Sequence, residues 1–511
     1  MTAAPYALHA YGSATVADAA VTSQKLATGA VTSEKIAVSM APQAGQVLSY
    51  NGTNLVWQIG AVNAWGLTGN SGTTAGANFL GTTDNRPLEF KVNRTRALRL
   101  EPGTNSPNII GGFAGNRVAA GVQGATVSGG GVDGLTNSVT DDFGTVAGGA
   151  LNQAGRTPDV ARTTAFATVG GGYANLANAF SATIGGGYFN TAAGDLSVVC
   201  GGNTNSVTGS SSFVGGGDLN LVAGQNSAVV GGMDHLADAA FAFIGGGDLN
   251  TVNDTAGTVA GGGYNTSSFY GFVGGGYFND ATNDFAAVAG GTANIASGAF
   301  AFVGGGSTNT AFGTGATVPG GRFNIALGDL SFAAGNRARA NHRGTFVWGD
   351  SSNADIGSTA NDQFVARASG GVTFYSNAGA STGVRVNPGA GSWSNASDRN
   401  AKENFARVEG REVLERLAKV PIQTWNYKSQ ESSIRHIGPM AQDFRAAFKV
   451  GEDEKHISTV DADGVALAAI QGLHQVVKEK ESKIASHAKS KRQCRIKATR
   501  RAMISTDREA E

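Results

Sequence analysis

The sequence predicts a mainly β protein in which a repeat-built parallel solenoid leads into a β-rich segment and then a small α+β domain ending in a helix. Three observations point there. A 15-residue unit recurs through the middle of the chain. Glycine, 77 residues in all, is nearly confined to residues 1–396, with five after that point. Charge does the opposite, with 39 of the 76 charged side chains falling in residues 397–511. The chain of 511 residues therefore changes its physics at Ser397, and repeats override any domain count based on length.

The repeat reads Val/Ile-x-Gly-Gly-x-x-Asn. Its apolar residue stands at Val169, Ile184, Val199, Val214, Val229, Ile244, Val259, Val273, Val288, Val303 and Val318, at steps of 15 with a single step of 14. Asparagine closes the units at Asn175, Asn190, Asn205, Asn220, Asn250, Asn265, Asn279, Asn294, Asn309 and Asn324, and His235 takes its place once. Less regular copies precede these at 108–116, 127–137 and 146–152, and 333–339 is a decayed last one. Alternation of small or apolar with polar residues before each apolar position, as in Ser181-Ala182-Thr183-Ile184, predicts short strands. Gly-Gly and Asn are expected to supply the positive φ of the turns. One unit is then one coil, and a coil that cannot bury its own apolar face must stack.

Rival readings of the repeat fit less well. Gly215–Asn220 and Gly245–Asn250 look superficially like calcium-binding nonapeptides, but the period differs and most copies lack an acid. Chance Gly-x-Gly-x-x-Gly matches follow from the composition, and no Gly-Lys-Ser/Thr accompanies them. Glycine does not recur at every third residue, which excludes collagen. The units over about 108–343 resemble the left-handed β-roll head of trimeric bacterial adhesins, and the resemblance implies three chains side by side displaying a binding surface. The chain departs from that family in carrying no C-terminal outer-membrane barrel segment.

Residues 1–105 are expected to form stalk or collar segments. They hold a ten-residue near-duplication at 20–29 and 30–37 and the run Gly45–Trp57, which look like collars of phage tail fibres and bacterial surface fibres. The opening Ala4-Pro5-Tyr6-Ala7-Leu8 resembles an internal segment of longer surface proteins, so an export signal is expected further upstream; none is visible in this chain. The head is assigned to 106–343. Residues 344–396 alternate apolar and polar residues between Gly, Asn and Ser turns and are expected to form a β-rich neck.

Beyond the neck the period becomes helical. Val413, Leu414, Leu417 and Val420 share a face, Pro421 ends that helix, and Ile422–Tyr427 alternates as a strand. Met440, Phe444 and Phe448 lie at helical spacing. Ile470, Leu473, Val477 and Ile484 keep an a/d register interrupted by Lys480, which predicts a short, three-stranded coiled coil. The basic residues 486–511 lose the heptad and are expected to be a disordered tail.

Five pieces in order, the Ser397-Asp398…Lys402 opening, Trp425-Asn426-Tyr427, Ile437–Gln442, the turn holding Asp461 and the last helix, resemble the intramolecular chaperone domain of the S74 peptidase family. The resemblance covers roughly 397–485. It implies a domain that trimerises, promotes folding of the fibre ahead of it, and cuts itself off. Ser397 would be the nucleophile, Lys402 its partner and Ala396–Ser397 the cleaved bond, with Asp398, His436 and Gln442 as supporting residues. One departure is Asn400, where family members often carry arginine.

The chemistry agrees: serine needs a base, and lysine serves as one when burial or nearby positive charge leaves it neutral. The rival reading of Ser397 and Asp398 is a helix N-cap pair, and His436 reads better as a packed histidine than as a base. Overall charge is balanced at 38 basic and 38 acidic residues, so no nucleic-acid partner is expected. Neither a membrane span, a cofactor nor a metal site is expected, Cys200 and Cys494 make no disulfide framework, and the scattered acids of the repeats form no glycosidase pair. The expected function is a homotrimeric surface or tail-fibre protein, extracellular or on a virion, with a self-released chaperone and an unknown ligand such as a glycan or matrix protein. The alternative is a structural fibre whose trimerisation domain stays attached.

Overall fold

The computed structural model describes residues 22, 24, 26–30, 43–44, 46–59, 65–156 and 165–507. The opening segment 4–8 and the second copy of the near-duplication, 31–37, lie outside the described residues. The chain divides into two units, Met1–Phe241 and Ala242–Glu511. It is mainly β, with long parallel solenoid structure and a small helical domain at its C-terminal end.

In the first unit Gln46–Tyr50 and Leu55–Ile59 form an antiparallel hairpin. Thr95–Glu101 pairs antiparallel with Leu88–Val92 on one side and with Asn108–Gly111 on the other. From Asn108–Gly111 onward the pairing turns parallel. Each coil then contributes two two-residue strands, for example Val198–Val199 and Ser206–Val207, which pair in register with the next coil as Val199↔Val214 and Val207↔Val222. With a side-chain period of two, Val199 and Val207 point inward and are fully buried, whereas Val198 and Ser206 face outward. Full burial of each valine is worth about 1.5–3 kcal/mol.

The asparagines do something the sequence reading did not foresee. They were expected at positive φ, but that conformation belongs to the residue before each one, such as Phe189, Thr204 and Leu219 at φ 55, 53 and 58°. A non-glycine residue there costs about 1–2 kcal/mol, and a cross-coil bond offsets it, as where Leu219 N–H donates to Asn203 O at 3.0 Å. The asparagine itself points into the core and is fully buried. Asn205 donates through Nδ2 to the carbonyls of Gly201 (3.0 Å) and Gly217 (2.9 Å). Its Oδ1 accepts from the backbone N–H of Asn220 (3.1 Å) and from Asn220 Nδ2 (2.9 Å). Asn175 and Asn190 repeat the pattern, and the N–H of buried His235 takes the last rung from Asn220 Oδ1 at 3.2 Å. Glycine is required beside this column: Gly217 sits at φ +90°, and a Cβ there would collide with the carbonyl of Gly232.

In the second unit the same column runs from Asn250 to Asn324 and ends where Asn324 Oδ1 accepts from Ala338 N–H at 2.9 Å. The 14-residue step loses its residue from a corner, between Thr266–Ser267 and Phe272–Val273, so both strands stay in register. Parallel pairing continues past the expected boundary at 343: Phe332–Asn336, Phe346–Gly349 and Phe364–Arg367 pair in turn, with the three phenylalanine rings stacked at 4.7 and 4.8 Å. The Asp350 carboxylate, bonded by Ser369, Arg367 and Ser352, is held far below the usual carboxylate range. Val372–Tyr375, Gly383–Val386 and Ser394–Asn395 follow as an antiparallel sheet.

Three helices complete the unit: α1 (Gly410–Leu417), α2 (Ala441–Phe448) and α3 (Thr459–Asp507), with a short ladder pairing Gln423–Trp425 to His436–Gly438. Residues 486–507, part of the tail expected to be disordered, are helical instead. No glycine or proline follows Gly472 in α3, and Ala, Lys, Arg and Gln sustain a helix once α1 has docked its start.

Two outcomes test this architecture. Asn205→Ala orphans the Asn220 N–H and two carbonyl bonds and should cost about 3 kcal/mol in urea unfolding, whereas Asn203→Ala on the outer surface should cost less than about 0.5 kcal/mol. Asp280, raised by burial against an opposing bond from Thr266, carries its charge at a cost above its folded pKa. That cost disappears as pH falls through the pKa, so Asp280→Asn should raise the melting temperature at pH 7 and leave it unchanged at pH 3.

Candidate active site

The site lies where the antiparallel sheet ends. Ser394–Asn395 is its edge strand, pairing Val384↔Asn395 and Arg385↔Ser394, and the Ala396 N–H donates to Gly383 O at 3.0 Å. The chain is therefore extended up to Ala396. At Asp398 it changes direction. The Asp398 carboxylate accepts from Asn400 N (2.9 Å) and Asn400 Nδ2 (3.2 Å), capping a 3-10 turn over Arg399–Ala401. The capping reading thus holds for Asp398, and Asn400, the departure from the family pattern, is its partner.

Ser397 has a different occupation. One turn returns the chain so that Lys402 Nζ lies 2.6 Å from Ser397 Oγ. Lys402 itself ends the turn, its N–H bonded to Arg399 O at 3.2 Å. Arg399 is drawn off over the Phe405 ring, 5.6 Å from its centroid. Both members of the pair are solvent-exposed in the single chain. With an ammonium the lysine donates to the hydroxyl; as a free amine at the same separation it would accept the serine proton, which is the arrangement a nucleophile and base require.

The other candidates stand elsewhere. His436 bonds through Nε2 to Gln430 Oε1 at 3.0 Å and packs against Trp425 and Tyr427, 4.8 and 5.7 Å between ring centroids. Gln442 lines a shallow recess with Arg445, Lys449 and Glu454. Sequence reasoning missed Asn395 and Thr459, whose side chains meet at 3.4 Å across 64 residues. It also missed the close crossing of α1 and α3, where a Cβ on Gly472 would strike Gly410 O. Neither pairing leaves a local signal in a single sequence.

Residues 397–450 match the family model for the chaperone of endosialidase, Peptidase S74. The match begins at the serine of the pair. The matched segment follows the parallel β-solenoid in the chain. No curated protein matches the sequence. Among the described residues no three His, Cys, Asp or Glu side chains stand together as a metal site, both cysteines are free and exposed, and no helix is long and apolar enough to cross a membrane.

Proposed function

We propose that the chain is a homotrimeric fibre or adhesin-like protein made as a precursor, whose chaperone domain drives assembly and then severs itself between Ala396 and Ser397. The observation that carries this reading is the 2.6 Å approach of Lys402 Nζ to Ser397 Oγ at the first residue of the family match. Assembly is supported by α3, where Ile470, Leu473, Val477 and Ile484 recur at heptad spacing and stand exposed in the single chain. The Asn, Thr, Ser, Asp and Tyr side chains of the coils suit weak multivalent contacts with a glycan or matrix protein at a cell or virion surface.

In the reaction, neutral Lys402 takes the proton of Ser397 Oγ as that oxygen bonds to the Ala396 carbonyl carbon. Collapse of the tetrahedral species breaks the Ala396–Ser397 C–N bond, and the lysine returns its proton to the departing Ser397 nitrogen. The result is an ester between Ala396 and Ser397 Oγ, with a free α-amine on Ser397. Water, giving its proton to Lys402, then attacks the ester, and the Ala396 carboxylate leaves as the hydroxyl is restored. Neutral lysine is favoured by loss of solvent. Partner copies converging at the junction supply it, so cutting waits for assembly.

A second reading is a structural fibre that keeps its domain, favoured by the exposure of both side chains in the single chain. Intact mass and N-terminal sequencing of the purified product separate the two. Release of a fragment starting at Ser397, abolished by Ser397→Ala and by Lys402→Met, is expected; full-length product throughout identifies the structural fibre. Leu473→Glu combined with Val477→Glu should yield monomer by sedimentation and leave the chain uncut, and a monomer that cuts refutes the assembly requirement.

A further inference from the structure

We infer that Asn395 and Thr459 are a positioning pair that makes cleavage depend on the docking of α3, an inference that rests on the self-cleavage proposed above. The bond to be cut has two flanks, and α3 touches both. On the acyl side Asn395 Nδ2 donates to Thr459 Oγ1 at 3.4 Å, and Thr459 is the first residue of α3. On the amine side the chain runs from Lys402 through residues 403–409 into α1, which crosses α3 at Gly410 and Gly472 and bonds to it through Arg411 and Glu479 at 3.3 Å. Residues 395–410 thus form a loop whose two feet stand on one helix.

The Thr459 hydroxyl is free for this task because α3 is capped by its neighbour. Ser458 Oγ accepts from Val460 N–H at 3.2 Å, and Ser458 O accepts from Ala462 N–H at 3.0 Å. Asn395 likewise has its backbone engaged in the edge strand, leaving its amide to reach out of the sheet. Attack by Ser397 Oγ requires the Ala396 carbonyl to be held at one orientation, and displacement by about 1 Å can cost ~100-fold in rate. The strand holds Ala396 directly through Gly383 O, and the Asn395–Thr459 bond fixes the residue that precedes it. Being exposed, that bond contributes little to stability, so its loss moves the rate of cutting more than the fold.

The test follows fragment release over time in the full-length chain carrying Asn395→Ala, Thr459→Val, both together, or Thr459→Ser. Each single variant should cut ~10-fold more slowly, with an unshifted pH profile and unchanged unfolding midpoint. The double variant should be no slower than either single, because both remove one contact, and Thr459→Ser should restore the rate. Wild-type rates in the single variants, multiplied losses in the double, or slow cutting that tracks a lowered unfolding midpoint and resists serine rescue would each overturn the positioning pair alone. An uncut wild-type chain overturns the self-cleavage reading and this inference with it.

Discussion

The buried asparagine column is the interaction on which the solenoid geometry depends. Each amide bonds its own coil and the next through Nδ2 and receives the following rung at Oδ1, so each rung fixes both the spacing and the phase of its neighbours. An amide placed out of phase in so narrow a core would leave several polar atoms dry. Rung positions are held accordingly, while the length between rungs can change at the corners: the column crosses 21 residues from Asn116 to Asn137 and 23 from Asn152 to Asn175, and the 14-residue step loses its residue at a corner. The αL corners follow as well, since the chain must turn sharply before each asparagine to bring it inside. Outward positions are left free, which is why they range from Thr to Phe while the column hardly varies.

At the junction the controlling geometry is of another kind. The segment before Ser397 is held by sheet pairing and the segment after it by a capped 3-10 turn. The reversal between them returns Lys402 to the serine across five positions. Asp398 shapes this turn without touching Lys402, so its contribution is conformational rather than chemical. His436, beside Trp425 and Tyr427, consolidates the short ladder that follows α1.

Much of this was legible in the sequence because it is periodic or local. The valine ladder, the order of helices and strand after residue 402, and the spacing of Ser397 and Lys402 all lie within short windows. The role of the asparagines is not legible in the sequence, because turn propensity and buried hydrogen bonding favour the same residue type and only the path of the chain decides between them. The repeat motif decays by about 343, yet parallel pairing with stacked Phe332, Phe346 and Phe364 continues without it. The Asn395–Thr459 contact and the Gly410–Gly472 crossing join distant segments, and no local pattern encodes them.

The antiparallel strands around the coils bear on what a severed product would be. A parallel solenoid ends in a strand with unpaired backbone groups, a template for adding another copy and growing without limit. In the first unit Thr95–Glu101 meets the first coil strand in the opposite direction, and in the second the last parallel strand is followed by the reversed strands 372–395. The Ala396–Ser397 bond lies just beyond those strands. A cut there would part residues 397–511 from the coils and leave the separate antiparallel sheet of 372–395 on the coils' side of the bond.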